Sequence, residues 1–210
     1  MQANATTGAQ DYTLAGALWP QTAKGRFIRM VVLAIAGAAL LTLAAKIRVP
    51  FYPVPMTLQT LVVPLIACAY GSRLGAATIL LYIAEGMAGL PVFTNTPPQV
   101  ASAAYLLGPT GGYLIGWVGA AFLVGSLAER GYGRTLPRLI GMIFLGSIVT
   151  FVCGVTWLAF IASVPPATHG VGLMRAIEVG YLPFILGDIV KVTLAAAIVR
   201  GSWTLIGKAH

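Results

Sequence analysis

A chain of 210 residues in which 58% are hydrophobic and only 9% are charged cannot cover a water-facing surface, because soluble domains carry about 25% charged residues. The net charge of +8 does not point to nucleic acid. Cations that track phosphates cluster on one face or groove, whereas here they stand singly or in small groups between apolar runs, as the loop anchors of a membrane protein do.

Residues 1–23 read as a polar leader, and residues 24–210 as a single membrane domain. Lys24, Arg26 and Arg29 precede the first apolar run, 30–45, which Lys46 and Arg48 close. A basic start before an apolar run is also the pattern of a cleaved signal. The length of this run and the lack of a small-residue cleavage site before Lys46 favour a retained first helix. Five more runs follow at 58–70, 74–90, 110–128, 139–164 and 181–199, each set against the ~20 residues of a span with its snorkelling flanks. The run 58–70 is short and holds Pro64, which predicts a tilted helix or one extended end. The expectation is an all-α integral membrane protein of six transmembrane helices.

The loop charges agree with that number. Lys24, Arg26, Arg29, Arg73, Arg130, Arg134, Arg138, Arg200 and Lys208 fall on one side, and Lys46, Arg48 and Arg175 on the other. By the positive-inside rule the richer side, with both termini, is cytoplasmic. No inverted repeat is visible, which argues against the large two-fold transporters. Cys68 and Cys153 lie inside apolar runs, where cysteine packs as a small hydrophobe, and neither has metal-ligand spacing.

Ionisable groups at membrane depth are expensive and therefore functional candidates. Glu85, Asp188 and Lys191 qualify. Asp188 and Lys191, three residues apart, share a helix face, and two readings stand: a structural ion pair, or a polar ligand site that reads an acceptor and a donor together. Pro183 and Gly187 just before them allow a bend or a close backbone approach. Glu85 reads as an interfacial carboxylate or as a proton-coupling group. His169 and His210 lie outside the spans and supply no relay.

Between the first two runs, Pro50, Pro53 and Pro55 hold the backbone extended. Such backbone at membrane depth needs protein or a cavity to satisfy it, so this segment, ending in Thr57 and Gln59, suits a lid. A second irregular stretch, 89–113, holds Asn95 and the glycine-rich turn before Tyr113, with Thr110 as a helix cap. It lacks the Lys-Ser/Thr of a phosphate-binding loop. No nucleophile–histidine set or metalloprotease motif appears, so the chain reads as a binder, not an enzyme. Ala34 and Ala38 have small-residue spacing that lets helices approach closely, either within the chain or against a partner.

The stretches Val54-Pro55-Met56-Thr57-Leu58-Gln59-Thr60, Gly89-Leu90-Pro91-Val92-Phe93, Leu107-Gly108-Pro109-Thr110-Gly111-Gly112-Tyr113, Ala120-Ala121-Phe122-Leu123-Val124-Gly125 and Gly187-Asp188-Ile189-Val190-Lys191 resemble, in order, the BioY family. These are the biotin-specific substrate-capture (S) components of energy-coupling-factor (ECF) transporters. The resemblance implies a six-helix S-component fold in the cytoplasmic (inner) membrane, with a pocket toward the outer face that the first inter-helix loop closes. It implies biotin contacts at Asp188, Lys191 and Asn95, to which Thr57 and Gln59 at the end of the proline loop and Tyr113 are added as candidate contacts. It also implies docking on a transmembrane coupling protein that carries ATPase subunits, for which Ala34 and Ala38, by their small-residue spacing, are the candidate contacts. No cofactor is expected in this chain, ATP being used only by those partners. Self-association is left open, as is which end of biotin faces which residue. The rival readings are an S component for another vitamin, and a membrane enzyme or structural subunit.

Overall fold

The structure, a computed structural model, describes residue 13 and residues 23–97, 101–165 and 169–207. Apart from Thr13 and Ala23, the expected leader lies outside the described residues, as does Lys208.

Helix α1, Ala23–Lys46, has 24 residues, about 36 Å at 1.5 Å per residue, enough for a hydrocarbon core of about 30 Å. Phe27, Ile28, Val32, Ile35 and Leu43 are exposed on its outer side, a surface suited to lipid. After it, Arg48–Val49 (β1) and Met56–Thr57 (β2) pair antiparallel, with Arg48 opposite Thr57 and Val49 opposite Met56. The extended proline segment is therefore the turn of a small hairpin, a departure from the all-α expectation. The ladder stops at two residues because Pro50, Pro53 and Pro55 have no N–H to donate.

Helix α2, Gln59–Met87, has 29 residues. A straight helix of that length would measure about 43 Å, yet Gln59 Nε2 lies 2.8 Å from the Tyr82 hydroxyl. The chain reverses at Gly71, whose φ of 81° interrupts the helix and is a conformation that suits glycine. Two arms result, 59–70 and 72–87, packed so closely that a Cβ on Gly75 would sit 3.3 Å from Ala67 Cα. The expected runs 58–70 and 74–90 are thus joined in one doubled-back element, and Pro64 lies within its first arm.

Helix α3, Gly111–Glu129, ends against that reversal. Glu129 accepts the Ser72 N–H at 2.7 Å and the Ser72 hydroxyl at 2.9 Å, which satisfies a free N–H at the start of the second arm. A Cβ on Gly125 would lie 2.5 Å from Gly71 C and Ser72 N, backbone against backbone, with no side chain able to yield. Gly125→Val is expected to destabilise the protein by about 1–3 kcal/mol or more, read as a lower thermal midpoint of the detergent-purified chain. An unchanged midpoint would show that α3 does not depend on this approach.

Helix α4 spans Leu136–Phe160, the short α5 spans Leu173–Gly180 and α6 spans Ile185–Gly207. On α6, Leu186, Ile189 and Val190 face outward while Asp188 is buried, so one helix presents lipid and polar faces. The main core joins α1, both arms of α2, α3, α4 and α6. A smaller one gathers Val54 of the hairpin with Tyr113, Leu158, Ala176 and Phe184. Among the described residues five helices are long and apolar enough to cross a membrane, and the chain is a multi-pass membrane protein.

Candidate ligand cavity

Beneath the hairpin lies a cavity whose walls come from the hairpin, both arms of α2, α3, α4 and α6. Val54 to Thr57 form one wall, and Thr57, Gln59, Tyr113, Asp188 and Lys191 all line it. Segments far apart in the chain meet here because α2 doubles back and α6 returns along it.

Asp188 and Lys191 do not bind each other directly. Lys191 Nζ donates to the Thr57 carbonyl at 2.7 Å and to Thr60 Oγ1 at 3.0 Å. Asp188 accepts the Ser147 hydroxyl at 3.1 Å. Among the described residues the ion pair in contact range is Arg175–Glu178, on α5. An ammonium has three donors, so Lys191 holds the hairpin and keeps one donor for another partner. Carboxylate oxygens accept several bonds, so Asp188 likewise keeps capacity. The pair therefore offers an acceptor and a donor at one wall of the chamber.

Other polar side chains here are tied up in structure. Thr57 Oγ1 donates to Gln59 Oε1 at 3.2 Å, Gln59 Nε2 to Tyr82, and the Tyr82 hydroxyl to the Val92 carbonyl at 3.1 Å. This buried chain welds the hairpin to both arms of α2. The Tyr113 hydroxyl donates to the Gly180 carbonyl at 2.8 Å, so Tyr113 presents its ring to the cavity and fastens α3 to the end of α5. Aromatic rings pave the chamber: Phe93 stacks on Tyr105 at 4.4 Å, and Tyr82 meets the edge of Phe93 at 5.7 Å.

Asn95 departs from its expected place. It lines an adjoining outer groove and not the cavity. The reason is a pair of cations at the end of α1. Arg48 Nη1 donates to Asn95 Oδ1 and, at 2.8 Å, to the Thr94 carbonyl. Lys46 Nζ donates to the carbonyls of Pro91, Phe93 and Thr96 at 2.6–2.8 Å, and together they pin the 91–96 turn with Phe93 and Thr94 at the chamber and Asn95 in the groove. Groove and cavity have Pro55, Tyr105 and Thr110 in both their linings. Burial pushes the Tyr105 hydroxyl up from its ordinary pKa, and bonding to Thr110 and Asn95 and the Arg48 charge oppose that shift.

The small-residue face of α1 turns inward. Ala38 has no exposed surface and sits in the core, and a Cβ on neighbouring Gly37 would lie 2.6 Å from Thr78. Docking at Ala38 is corrected accordingly: the close approach is to the chain's own α2, while Ala34 stays half-buried. Glu85 is also half-buried and does not line the cavity. The lining residues absent from the sequence-based expectation include Tyr82, Tyr105, Trp117, Thr150, Phe151 and Phe184, together with Ser147, which holds Asp188. Trp117 is 6% exposed, and its buried Nε1 has no hydrogen-bond partner among the described residues. Its signal was position, since tryptophan favours membrane interfaces and Trp117 lies well inside an apolar run.

Fold and site define a helical membrane protein built around a small-molecule chamber. The chain belongs to the BioY family, whose profile matches residues 13–208. It is 36% identical over 171 residues to a biotin transporter BioY of Thermotoga maritima, covering 81% of this chain and 94% of that one. It is 37% identical over 175 residues to a probable biotin transporter BioY of Pyrococcus horikoshii, covering 83% and 94%. The fold is similar to the crystal structure of the S-component for biotin from an ECF-type ABC transporter, with a TM-score of 0.69 and 26% identity over 86% of this chain and 93% of that one.

Proposed function

We propose that this chain captures biotin and passes it across the cytoplasmic membrane as the S component of an ECF-type transporter. The observation that carries the reading is the apolar, aromatic-paved chamber with Asp188 and Lys191 on one wall. Biotin joins an apolar bicyclic sulfur ring and aliphatic chain to a ureido group and a carboxylate. A few placed polar groups in an apolar pocket suit such a molecule. Titration calorimetry of the purified chain with biotin tests the reading, with thiamine and riboflavin as competitors. No saturable heat with biotin, or displacement by another vitamin, would sink it.

Six membrane passes are part of the proposal. Because α2 begins and ends at one side of the bundle, it contributes two passes, its shorter first arm completed by the hairpin. The total is then even, and both termini share the face where Arg73, Arg130, Arg134, Arg138 and Arg200 gather, the cytoplasmic one by the positive-inside rule. The chain needs no cofactor of its own, and ATP is consumed by partner ATPases through a coupling protein. The half-buried Ala34 remains a contact for that partner. Ala34→Trp should then spare biotin binding and reduce ATP-dependent uptake, and unchanged uptake would remove it from the docking surface.

Trp117 makes a sharper test. A buried donor without a partner costs about 1–3 kcal/mol, a penalty that a ligand acceptor would relieve. Trp117→Phe keeps an aromatic wall and removes that donor. Stability should hold or rise, while biotin affinity falls about two- to tenfold, the 0.5–1.5 kcal/mol of one neutral hydrogen bond. Unchanged affinity would mean that the indole does not meet the ligand.

A further inference from the structure

We infer that the end of the bundle opposite the hairpin carries a seat for an anionic phospholipid, its phosphate held at Arg134 and Arg200 and the top of an acyl chain lying on an apolar floor. The inference does not depend on what the chamber beneath the hairpin holds.

A second cavity opens at the end where α2 reverses, and it shares no lining residue with that chamber. Its floor is apolar: Cys68 of the first arm of α2, Leu139 and Met142 of α4, and Val199 of α6, all buried. Its rim is polar. Arg134, on the turn between α3 and α4, is exposed, and Trp203, near the end of α6, is half-buried.

The charge at the rim is one-sided. Arg200 Nη1 donates to the Arg134 carbonyl at 2.8 Å, which draws a second guanidinium to the same rim and leaves the N–H donors of its Nε and Nη2 for another acceptor. Among the described residues no carboxylate lines the cavity. Glu129, the acid nearest to Arg134 in the sequence, is committed to the N–H and hydroxyl of Ser72. Like charges so placed repel each other, and an anion between them relieves the repulsion.

Phosphate suits guanidinium groups, which bind it through paired N–H bonds. The apolar floor decides between a free ion and a lipid, because an ion would leave it uncovered whereas a phospholipid brings a phosphate and a hydrocarbon chain together. The level in the bilayer agrees. Tryptophan favours the membrane interface, and Leu136 and Leu205, at the adjoining ends of α4 and α6, are exposed as lipid-facing surface is. Basic pockets between membrane helices are the usual seats of anionic headgroups.

The test is native mass spectrometry of the full chain in a neutral detergent with equal amounts of phosphatidylglycerol and phosphatidylcholine. The parent should retain one phosphatidylglycerol with a preference of about fivefold or more, the effect of one or two arginines near a membrane surface. Arg200→Gln should reduce that preference by about fivefold. Arg26→Gln, which removes the same charge from the exposed start of α1, should leave it unchanged. A Cβ on Gly133 would meet Leu139 at 3.5 Å, an ordinary contact. Gly133 lines the cavity, so Gly133→Asp sets an anion there with both arginines in place and should abolish the preference. Biotin binding, at the other end of the bundle, should be unchanged in all three variants. Equal retention of the two lipids by the parent, or equal losses from Arg26→Gln and Arg200→Gln, would overturn the seat. So would a thermal midpoint raised as much by inorganic phosphate as by phosphatidylglycerol, which would mark an ion site without an acyl chain.

Discussion

Asp188→Asn should weaken biotin binding by about tenfold or more, since a hydrogen bond to a charged group contributes about 1.5–3 kcal/mol and each 1.4 kcal/mol is tenfold in affinity. The asparagine keeps the size of the side chain and an oxygen for Ser147, so folding should be spared. Lys191→Met should produce a loss at least as large for a compound reason. It removes the ligand donor and also releases the Thr57 carbonyl and Thr60 Oγ1, which Lys191 holds at 2.7 and 3.0 Å. The two variants therefore separate kinetically: Asp188→Asn acts on the ligand alone, and Lys191→Met also loosens the hairpin and speeds ligand escape. Calorimetry and stopped-flow dissociation read both effects. If both variants fold and bind like the parent, the site lies elsewhere.

Replacing Pro50, Pro53 and Pro55 together with glycine should accelerate biotin dissociation by an order of magnitude or more. Each proline limits the freedom of the opened loop, and exchanging such a residue for glycine shifts the balance by about 0.4–1 kcal/mol, or about 1–3 kcal/mol for the three. A lid here would have to break several contacts on opening. The Lys191–Thr57 bond is one. Phe51 meets Phe184 edge-on at 5.9 Å, and Met56 packs where a Cβ on Gly187 would lie 2.7 Å from its sulfur. Preorganisation lowers the ordering cost of the closed form, and affinity changes within one site appear mostly in the off-rate. An unaltered off-rate in a folded triple variant would remove the lid role and leave the biotin reading standing.

Composition and local spacing decided much of this protein. Long apolar runs with so few charges dictate a bilayer solvent. A carboxylate and an ammonium one helical turn apart are costly enough at membrane depth to mark a site. Three prolines within six residues cannot continue a helix, so a stiff loop between the first two runs was legible without coordinates. What stayed out of reach was which surface of each helix faces inward. In water, the apolar stripe of a helix points to its core. In lipid the outer face is apolar too, so the inward placement of Ala38 and of the Trp117 indole carries no periodic signal.

Partner identity at long range was equally hidden. Lys191 reads from its own helix as the partner of Asp188, yet it bonds Thr57 across 134 positions of chain. Asn95 reads as a ligand contact, yet Arg48 holds it in the outer groove. Both outcomes depend on the reversal at Gly71, which brings the two ends of α2 together, and on the cations at the end of α1, which set where the 91–96 turn can lie. Local sequence determines which groups must escape lipid. The packed backbone alone determines which of them meet, because hydrogen bonds fall off within a few tenths of an ångström and only the assembled bundle sets distances that finely.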